Sequence, residues 1–219
     1  MTRAVVFDLD GVLIDSEQVW DDVRRTLAEE RGGSYTARSQ RDMMGMSSPE
    51  WSRYMHHRVG LAEPPEEINR IVVERMRDRY ADSPPWIPGA LDAVARMAQA
   101  YPLGLASSSN RELIDLLLDG GRIAVLFRAT VSSEEVARGK PAPDVYLEAA
   151  RRLGVEPRDC VAVEDSHNGI RAAKAAGLGC IAIPNAGYPP GEAVAEADVV
   201  IADIPSLTAA VVESIPPAA

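Results

Sequence analysis

Short apolar runs alternate with longer segments of helical periodicity over most of the chain. Five runs are rich in branched and small residues and end in polar or small residues: 4–7, 102–106, 160–163, 180–184 and 198–202. Runs of this kind are typical of parallel strands that are buried on both faces. The helical segments between them begin or end at proline or glycine, which are helix boundary signals. This alternation predicts an α/β domain built on a doubly wound parallel sheet.

The pattern changes after the first run, where helical signals continue without a convincing strand. One predicted helix covers 15–33, with Asp15 as N-cap and Gln18 completing a capping box. A second starts at Ser48 as N-cap, directly before Pro49. A third covers 64–82, and a proline-rich linker follows it. We therefore predict a small all-helical cap domain at 16–82, inserted into a core domain formed by 1–15 and 83–219.

Composition and charge narrow the class of protein. The chain has 219 residues, of which 46% are hydrophobic and 26% charged, which suits a globular fold with a sizeable core. Its net charge of -10 argues against a nucleic-acid partner, because such partners need a basic face. No apolar stretch reaches the roughly 18 residues of a membrane span, and the first residues do not follow the pattern of a signal peptide. We expect a cytoplasmic monomer with no membrane partner.

Polar side chains follow the predicted strands at the points where they end. Asp8 and Asp10 follow the first run, Ser107 follows the second, and Glu164 and Asp165 follow the third. Ligands of open parallel sheets bind beyond the carboxyl ends of the strands, so these side chains should converge. Burying carboxylates is costly unless a cation pairs with them, and carboxylate oxygens suit Mg²⁺. The pattern predicts a magnesium site with a carboxylate that can take part in chemistry.

Four segments, "DLDGV", "ASSS", "GKPAPD" and "VEDSHNG", occur in this order along the chain. Together with the helical insert they resemble the four motifs and the cap of the haloacid dehalogenase-like phosphohydrolase superfamily. The chain looks most like its β-phosphoglucomutase and sugar-phosphate phosphatase branch. The resemblance implies a Rossmann-like core and a Mg²⁺-dependent phosphatase that hydrolyses a small phosphate monoester through an aspartyl-phosphate.

The resemblance also implies a role for each motif residue. Asp8 would be the nucleophile, and Asp10 would protonate the leaving oxygen and then deprotonate water. Ser107 would bind a phosphoryl oxygen, and Lys140 would neutralise charge between Asp8 and the phosphoryl group. The metal would be held by four residues: Asp8, Asp10 through its backbone carbonyl, Glu164 and Asp165.

The predicted substrate-binding residues come from the motifs and from the cap. Gly11 is expected to let the chain turn tightly beside the phosphate. Ser109 could both face the phosphate and cap the following helix. The full set is Gly11, Trp20, Gly45, Ser47, Ser48, Ser108, Ser109 and Asn110.

The sequence is also compatible with two other functions. A phosphosugar mutase would use the same aspartyl-phosphate but must also hold a second phosphate. The β-phosphoglucomutase pattern has a histidine where this chain has Trp20 and a cap arginine where it has Ser48. Their absence favours a phosphatase, unless Arg41 or Arg53 supplies the anchor. A binding module without turnover is the least favoured alternative, because every catalytic residue of the pattern is present.

Overall fold

The computed structural model describes residues 3–185, 187 and 189–216. Its described part contains one six-stranded sheet in the order β3-β2-β1-β4-β5-β6, and every pair of neighbours is parallel. The strands are β1 (Ala4–Phe7), β2 (Leu103–Ser107), β3 (Phe127–Ser132), β4 (Cys160–Glu164), β5 (Gly179–Ala182) and β6 (Val199–Val200). β1 lies in the middle and pairs with β2 on one side and with β4 on the other. The predicted α/β parallel sheet is confirmed.

Helices cover both faces of the sheet because the strands are apolar on both faces. Val5 and Phe7 of β1 belong to one buried cluster, and Ala4 and Val6 belong to another. The helices of the described residues are α1 (Glu17–Glu30), α2 (Ala37–Met43), α3 (Ser48–Tyr54), α4 (Pro65–Asp82), α5 (Ala90–Ala98), α6 (Arg111–Gly120), α7 (Asp144–Leu153), α8 (His167–Ala175) and α9 (Ala209–Glu213). Helices α5 and α6 contribute to the first cluster, and α7 and α8 to the second.

One strand, β3, and two short helices, α2 and α9, were not predicted from the sequence. β3 lies at the edge of the sheet, where Arg128 is exposed and Thr130 is half-buried. Its apolar residues alternate with polar ones, so it lacks the continuous apolar run that marks the central strands. α2 is only 7 residues long and begins with a capping box between Thr36 and Ser39.

Residues 16–82, the helical segment, lie between β1 and β2, and all of their regular secondary structure is helical. The segment holds α1 to α4 and a π-helical turn (Met55–Val59) between α3 and α4. Side chains of this segment, including Trp20, Leu27 and Met76, share a buried cluster with residues of the sheet. The segment therefore lies against the core of the molecule.

Two predicted helix caps were wrong by one residue. α1 follows Ser16 rather than Asp15, which is exposed, and the predicted Asp15–Gln18 capping box is not formed. The N-cap of α3 is Ser47, whose side chain and backbone both bond Glu50. Ser48 is the first helical residue instead. Ser16 donates to Asp10, and Ser48 donates to Asn110.

None of the described helices is long and apolar enough to cross a membrane. Cys160 and Cys180 are both free and buried, in β4 and β5.

Candidate active site

Three carboxylates meet at the carboxyl ends of the two central strands. Asp8 directly follows β1, Glu164 is the last residue of β4, and Asp165 comes next. One oxygen from each lies within 4.8 Å of the others, and all three side chains are buried. The strand order reverses between β1 and β4, which is where doubly wound sheets bind their ligands.

Lys140 brings the only ammonium that bonds these carboxylates among the described residues. Its Nζ donates to Asp8 Oδ1 at 2.8 Å and to Glu164 Oε1 at 2.6 Å. Lys140 is only 4% exposed, and it reaches the site from the loop that precedes α7. Burial lowers its pKa, but the Asp8 and Glu164 carboxylates outweigh burial and raise it, so the side chain stays charged.

The site holds three carboxyl groups and one ammonium. Burial raises the pKa of Asp8 to about 8, although Lys140 opposes this rise. Burial, with Glu164 and Asp8 as further causes, also raises the pKa of Asp165 well above its ordinary value. One ammonium cannot neutralise this set of carboxylates. A divalent cation with a preference for oxygen ligands fits the donor set, because it would supply the missing charge.

Glu164 is the most enclosed of the three carboxylates. Its Oε1 accepts from Lys140 and from the Tyr146 hydroxyl, the latter at 2.6 Å. Its Oε2 accepts from the amides of Asp165 and Ser166 and from the Ser166 hydroxyl at 3.2 to 3.3 Å. A Cβ on Gly169 would lie 1.9 to 2.0 Å from the Glu164 carboxyl atoms, so α8 needs glycine there. Sequence reasoning did not assign Tyr146, Ser166 or Gly169, although the last two lie inside the "VEDSHNG" segment.

Asp10 is held by side-chain donors on both of its oxygens. Oδ1 accepts from the Ser16 hydroxyl at 2.5 Å and from the Trp20 indole N–H at 3.2 Å. Oδ2 accepts from the Ser109 hydroxyl at 2.6 Å and from the Ser107 hydroxyl at 3.4 Å. Ser16 is the N-cap of α1, and Trp20 lies in its first turn. Ser107 is the last residue of β2, so the Asp10 carboxylate links α1 to the end of β2.

Gly11 lies against a residue that the sequence did not indicate, Asp165. Its φ is +80°, and a Cβ there would lie 1.9 Å from Asp165 Oδ2. The absence of a side chain at Gly11 thus lets the Asp165 carboxylate approach β1. Its predicted contact with the phosphate stays a prediction.

A cavity of about 410 Å³ opens over these carboxylates. Its wall combines residues of the core with residues of the helical segment. The described lining consists of Asp8, Asp10, Glu17, Trp20, Arg41, Met44, Gly45, Met46, Trp51, Ser108, Ser109, Lys140, Asp165, Ser166, His167, Gly187, Pro189 and Pro190. Four of the predicted substrate-binding residues are among them: Trp20, Gly45, Ser108 and Ser109.

Three other predicted substrate-binding residues, Ser47, Ser48 and Asn110, bond protein groups outside the described cavity lining. The Ser48 hydroxyl donates to Asn110 Oδ1 at 2.8 Å, and Asn110 in turn donates to Glu134 at 2.7 Å. Ser47 caps α3, and Asn110 rather than Ser109 holds the N-cap position of α6. Along the part of the wall that the structure describes, Ser47, Ser48 and Asn110 do not contribute. Glu17, Met44, Met46 and Trp51 do, although the sequence did not single them out as binding residues.

Comparison with known protein families identifies the chain as a hydrolase. The chain belongs to the haloacid dehalogenase-like hydrolase family, whose model matches residues 2–177. It is 33% identical over 209 residues to hexitol phosphatase B of Escherichia coli K12, covering 94% of each chain. It is 32% identical over 180 residues to phosphorylated carbohydrates phosphatase of Thermotoga maritima, covering 80% of this chain and 82% of that one.

A solved structure shows the same architecture. CbbY from Rhodobacter sphaeroides, in complex with phosphate, superposes with a TM-score of 0.83 at 29% identity, covering 94% of this chain and 96% of that one. These findings confirm the predicted family and the predicted enzyme class, a phosphoric monoester hydrolase.

Proposed function

We propose that the chain is a Mg²⁺-dependent phosphatase that hydrolyses monophosphates of sugars or sugar alcohols through a phosphorylated Asp8. The observation that carries this proposal is the meeting of Asp8, Asp10, Lys140 and Asp165 on the wall of one cavity. The substrate class is supported by relatives that are named for hexitols and for phosphorylated carbohydrates. A cavity of about 410 Å³ is within the size range of small-molecule sites.

In the first step the Asp8 carboxylate attacks phosphorus and the ester P–O bond breaks. The leaving oxygen takes a proton from Asp10, which becomes a carboxylate. Lys140, 2.8 Å from Asp8, offsets the negative charge that builds up as the carboxylate meets the phosphoryl group. The Ser108 hydroxyl belongs to a cavity-wall residue and can donate to a phosphoryl oxygen, whereas the one hydroxyl proton of Ser109 is donated to Asp10. Ser107 is fully buried beneath them, and its contact with the phosphoryl group stays a prediction.

In the second step water attacks the phosphorus of the phosphorylated Asp8. Asp10 takes the proton of that water, the bond between Asp8 and phosphorus breaks, and inorganic phosphate leaves. Hydrogen bonds from Ser16, Trp20 and Ser109 hold the Asp10 side chain in place for this step. Asp10 is protonated again at the end of the cycle, as it was at the start.

We propose that Asp8 and Asp165 hold the Mg²⁺, with the Asp10 carbonyl and Glu164 as the remaining protein ligands. When bound, Mg²⁺ supplies positive charge that screens the approach of one anion to another. Asp8 and Asp165 face the cavity, whereas Glu164 already accepts bonds on both oxygens. Glu164 would have to give up one of these bonds to become a direct ligand.

Removal of the metal is expected to stop phosphate release completely. Mg²⁺ should restore it, and Ca²⁺ should not, because Ca²⁺ takes more ligands at longer distances and distorts in-line attack. The assay follows phosphate release after treatment with a chelator and re-addition of each ion. Binding is followed separately by calorimetry, with Asp165→Asn as the variant that should bind Mg²⁺ more weakly. Undiminished turnover in excess chelator would contradict the proposed site.

We further propose that residues 16–82 act as a cap over a core formed by 1–15 and 83–219. Trp20, Gly45 and Met46 of this segment line the same cavity as Asp8 and Lys140 of the core. A cap in this position excludes water and shapes the space for the leaving group.

A phosphosugar mutase is the second candidate, and one observation favours it. Arg41 lies on the cavity wall, where its guanidinium could hold a second phosphate. Arg53, the other possible anchor, is exposed and donates to the Pro49 carbonyl at 2.7 Å. We favour the phosphatase because Ser48, at the position of the mutase arginine, is fully engaged with Asn110.

Parallel measurement of free phosphate and of isomerised sugar separates the two functions. On β-glucose 1-phosphate, with and without a bisphosphate primer, phosphate release should outpace isomerisation. Arg41→Gln should leave this preference unchanged, with Arg38→Gln as the control on the same helix. Isomerisation that outpaces phosphate release, needs the primer and is lost in Arg41→Gln would establish the mutase instead.

A further inference from the structure

Tyr146 closes one side of the Lys140–Glu164 ion pair. Its hydroxyl donates to Glu164 Oε1 at 2.6 Å, the same oxygen that accepts from Lys140 Nζ. Its ring lies under the ammonium, with Nζ 5.0 Å from the ring centroid. Tyr146 is fully buried on α7, in the cluster that also contains Ala4 and Val6 of β1. It does not belong to the described cavity wall, so it does not touch a ligand there.

The hydroxyl of Tyr146 is not needed to fill space. A phenylalanine ring would occupy the same place in the apolar cluster formed by α7, α8 and the sheet. A buried hydroxyl is costly unless it is hydrogen-bonded, and the one bond that the structure gives to Tyr146 ends on Glu164. The chemistry at this position therefore concerns Glu164 and its partner Lys140.

Lys140 shares its ammonium between two carboxylates, so a change that strengthens one of these two bonds weakens the other. A lysine offers three N–H donors, of which one goes to Asp8 and one to Glu164. The Tyr146 hydroxyl takes up part of the accepting capacity of Glu164 Oε1 and so weakens its pull on the ammonium. The ring face attracts the ammonium from below and limits its movement.

We infer that Tyr146 is a positioning residue that keeps the Lys140 ammonium directed at Asp8. The inference rests on the proposed function, in which that ammonium offsets charge on Asp8 and the phosphoryl group. Without the hydroxyl, Glu164 Oε1 has one donor fewer and draws the ammonium away from Asp8. Phosphoryl transfer and phosphate binding then weaken together. The proposed metal ligands Asp8, Glu164 and Asp165 keep their places, because the bonds to Glu164 Oε2 remain.

The test compares Tyr146→Phe with the wild-type enzyme and with Tyr101→Phe. Tyr101 is a matched control, because its hydroxyl also donates to a glutamate, Glu213, at 3.4 Å. Tyr146→Phe should lower kcat about ten-fold and weaken the binding of inorganic phosphate about ten-fold, since one hydrogen bond to a charged group is lost. The half-saturating Mg²⁺ concentration should stay near the wild-type value. The melting temperature should fall by several degrees, because the lost bond is buried, but the variant should stay folded at the assay temperature. Tyr101→Phe should change neither kcat nor phosphate binding.

Three results would overturn the inference. One is an unchanged kcat and phosphate affinity in Tyr146→Phe. Another is a raised Mg²⁺ requirement with unchanged kcat at saturating Mg²⁺, which would mean that the hydroxyl serves the metal through Glu164. The third is an equal effect of Tyr101→Phe. Phosphate affinity is measured by calorimetry and does not depend on turnover. If the wild-type enzyme releases no phosphate, the proposed function is refuted, but the calorimetry still shows whether Tyr146→Phe weakens phosphate binding.

Discussion

Asp8→Asn is expected to lower phosphatase turnover by a factor on the order of 10⁴ to 10⁶, as loss of a nucleophile does in other enzymes. The amide cannot form the acyl phosphate that the second step hydrolyses. The fold should persist, because asparagine has the shape of aspartate. In the wild-type chain Lys140 Nζ lies 2.8 Å from Asp8 Oδ1, and the asparagine oxygen can still accept this bond. The measurement is the rate of phosphate release, together with the melting temperature.

Asp15→Asn serves as the matched control for Asp8→Asn. Asp15 lies in the same stretch of chain, but its side chain is exposed and is not part of the described cavity wall. Its replacement should leave turnover within about two-fold of wild type, as for a surface change away from the site. A folded Asp8→Asn enzyme with wild-type turnover would refute the covalent mechanism.

Lys140→Met is expected to reduce both turnover and stability. The lysine is buried between Asp8 and Glu164, so its loss leaves two buried carboxylates without their cation. Breaking a buried pair in this way costs about 3–5 kcal/mol of unfolding free energy. Phosphoryl transfer should become too slow to follow in steady state, because the charge between Asp8 and the phosphoryl group is no longer offset. Denaturant unfolding and single-turnover phosphate release are the two measurements.

The only other lysine in the sequence, Lys174, provides the control for Lys140→Met. Lys174 pairs with Asp198 at 2.6 Å, with both side chains about one third exposed. Lys174→Met should therefore cost about 1 kcal/mol or less, as exposed ion pairs do, and should leave turnover unchanged. If Lys140→Met were as stable and as active as Lys174→Met, the central placement of Lys140 would be refuted.

The sequence predicts the sheet and the strand-end carboxylates because both follow from local patterns. Continuous apolar runs mark the central strands, and the first polar residues after them lie at the ligand-binding edge. Asp8, Glu164 and Asp165 were found in this way. β3 was not predicted because its residues alternate in polarity, as is typical of an edge strand. The caps of α1 and α3 were placed one residue off because two adjacent polar residues could each take the N-cap position, Asp15 or Ser16 in α1 and Ser47 or Ser48 in α3.

The cavity wall was less predictable, because it depends on how the helical segment lies against the core. Ser48 and Asn110 were expected to face the substrate, but they bond each other across 62 residues of chain. Glu17 and Trp51 line the cavity from helices whose packing no local pattern specifies. Tyr146 was missed for a similar reason, since its contact with Glu164 joins α7 to the end of β4.

Chemical trapping of the phosphorylated enzyme tests the central claim most directly. The enzyme is mixed with a ³²P-labelled sugar monophosphate and Mg²⁺, quenched in acid within one turnover, reduced with borohydride and mapped by mass spectrometry. Reduction of an acyl phosphate on an aspartate produces homoserine, and the proposed mechanism predicts homoserine at residue 8 and at no other aspartate. Release of labelled phosphate without any modification at residue 8 would contradict it.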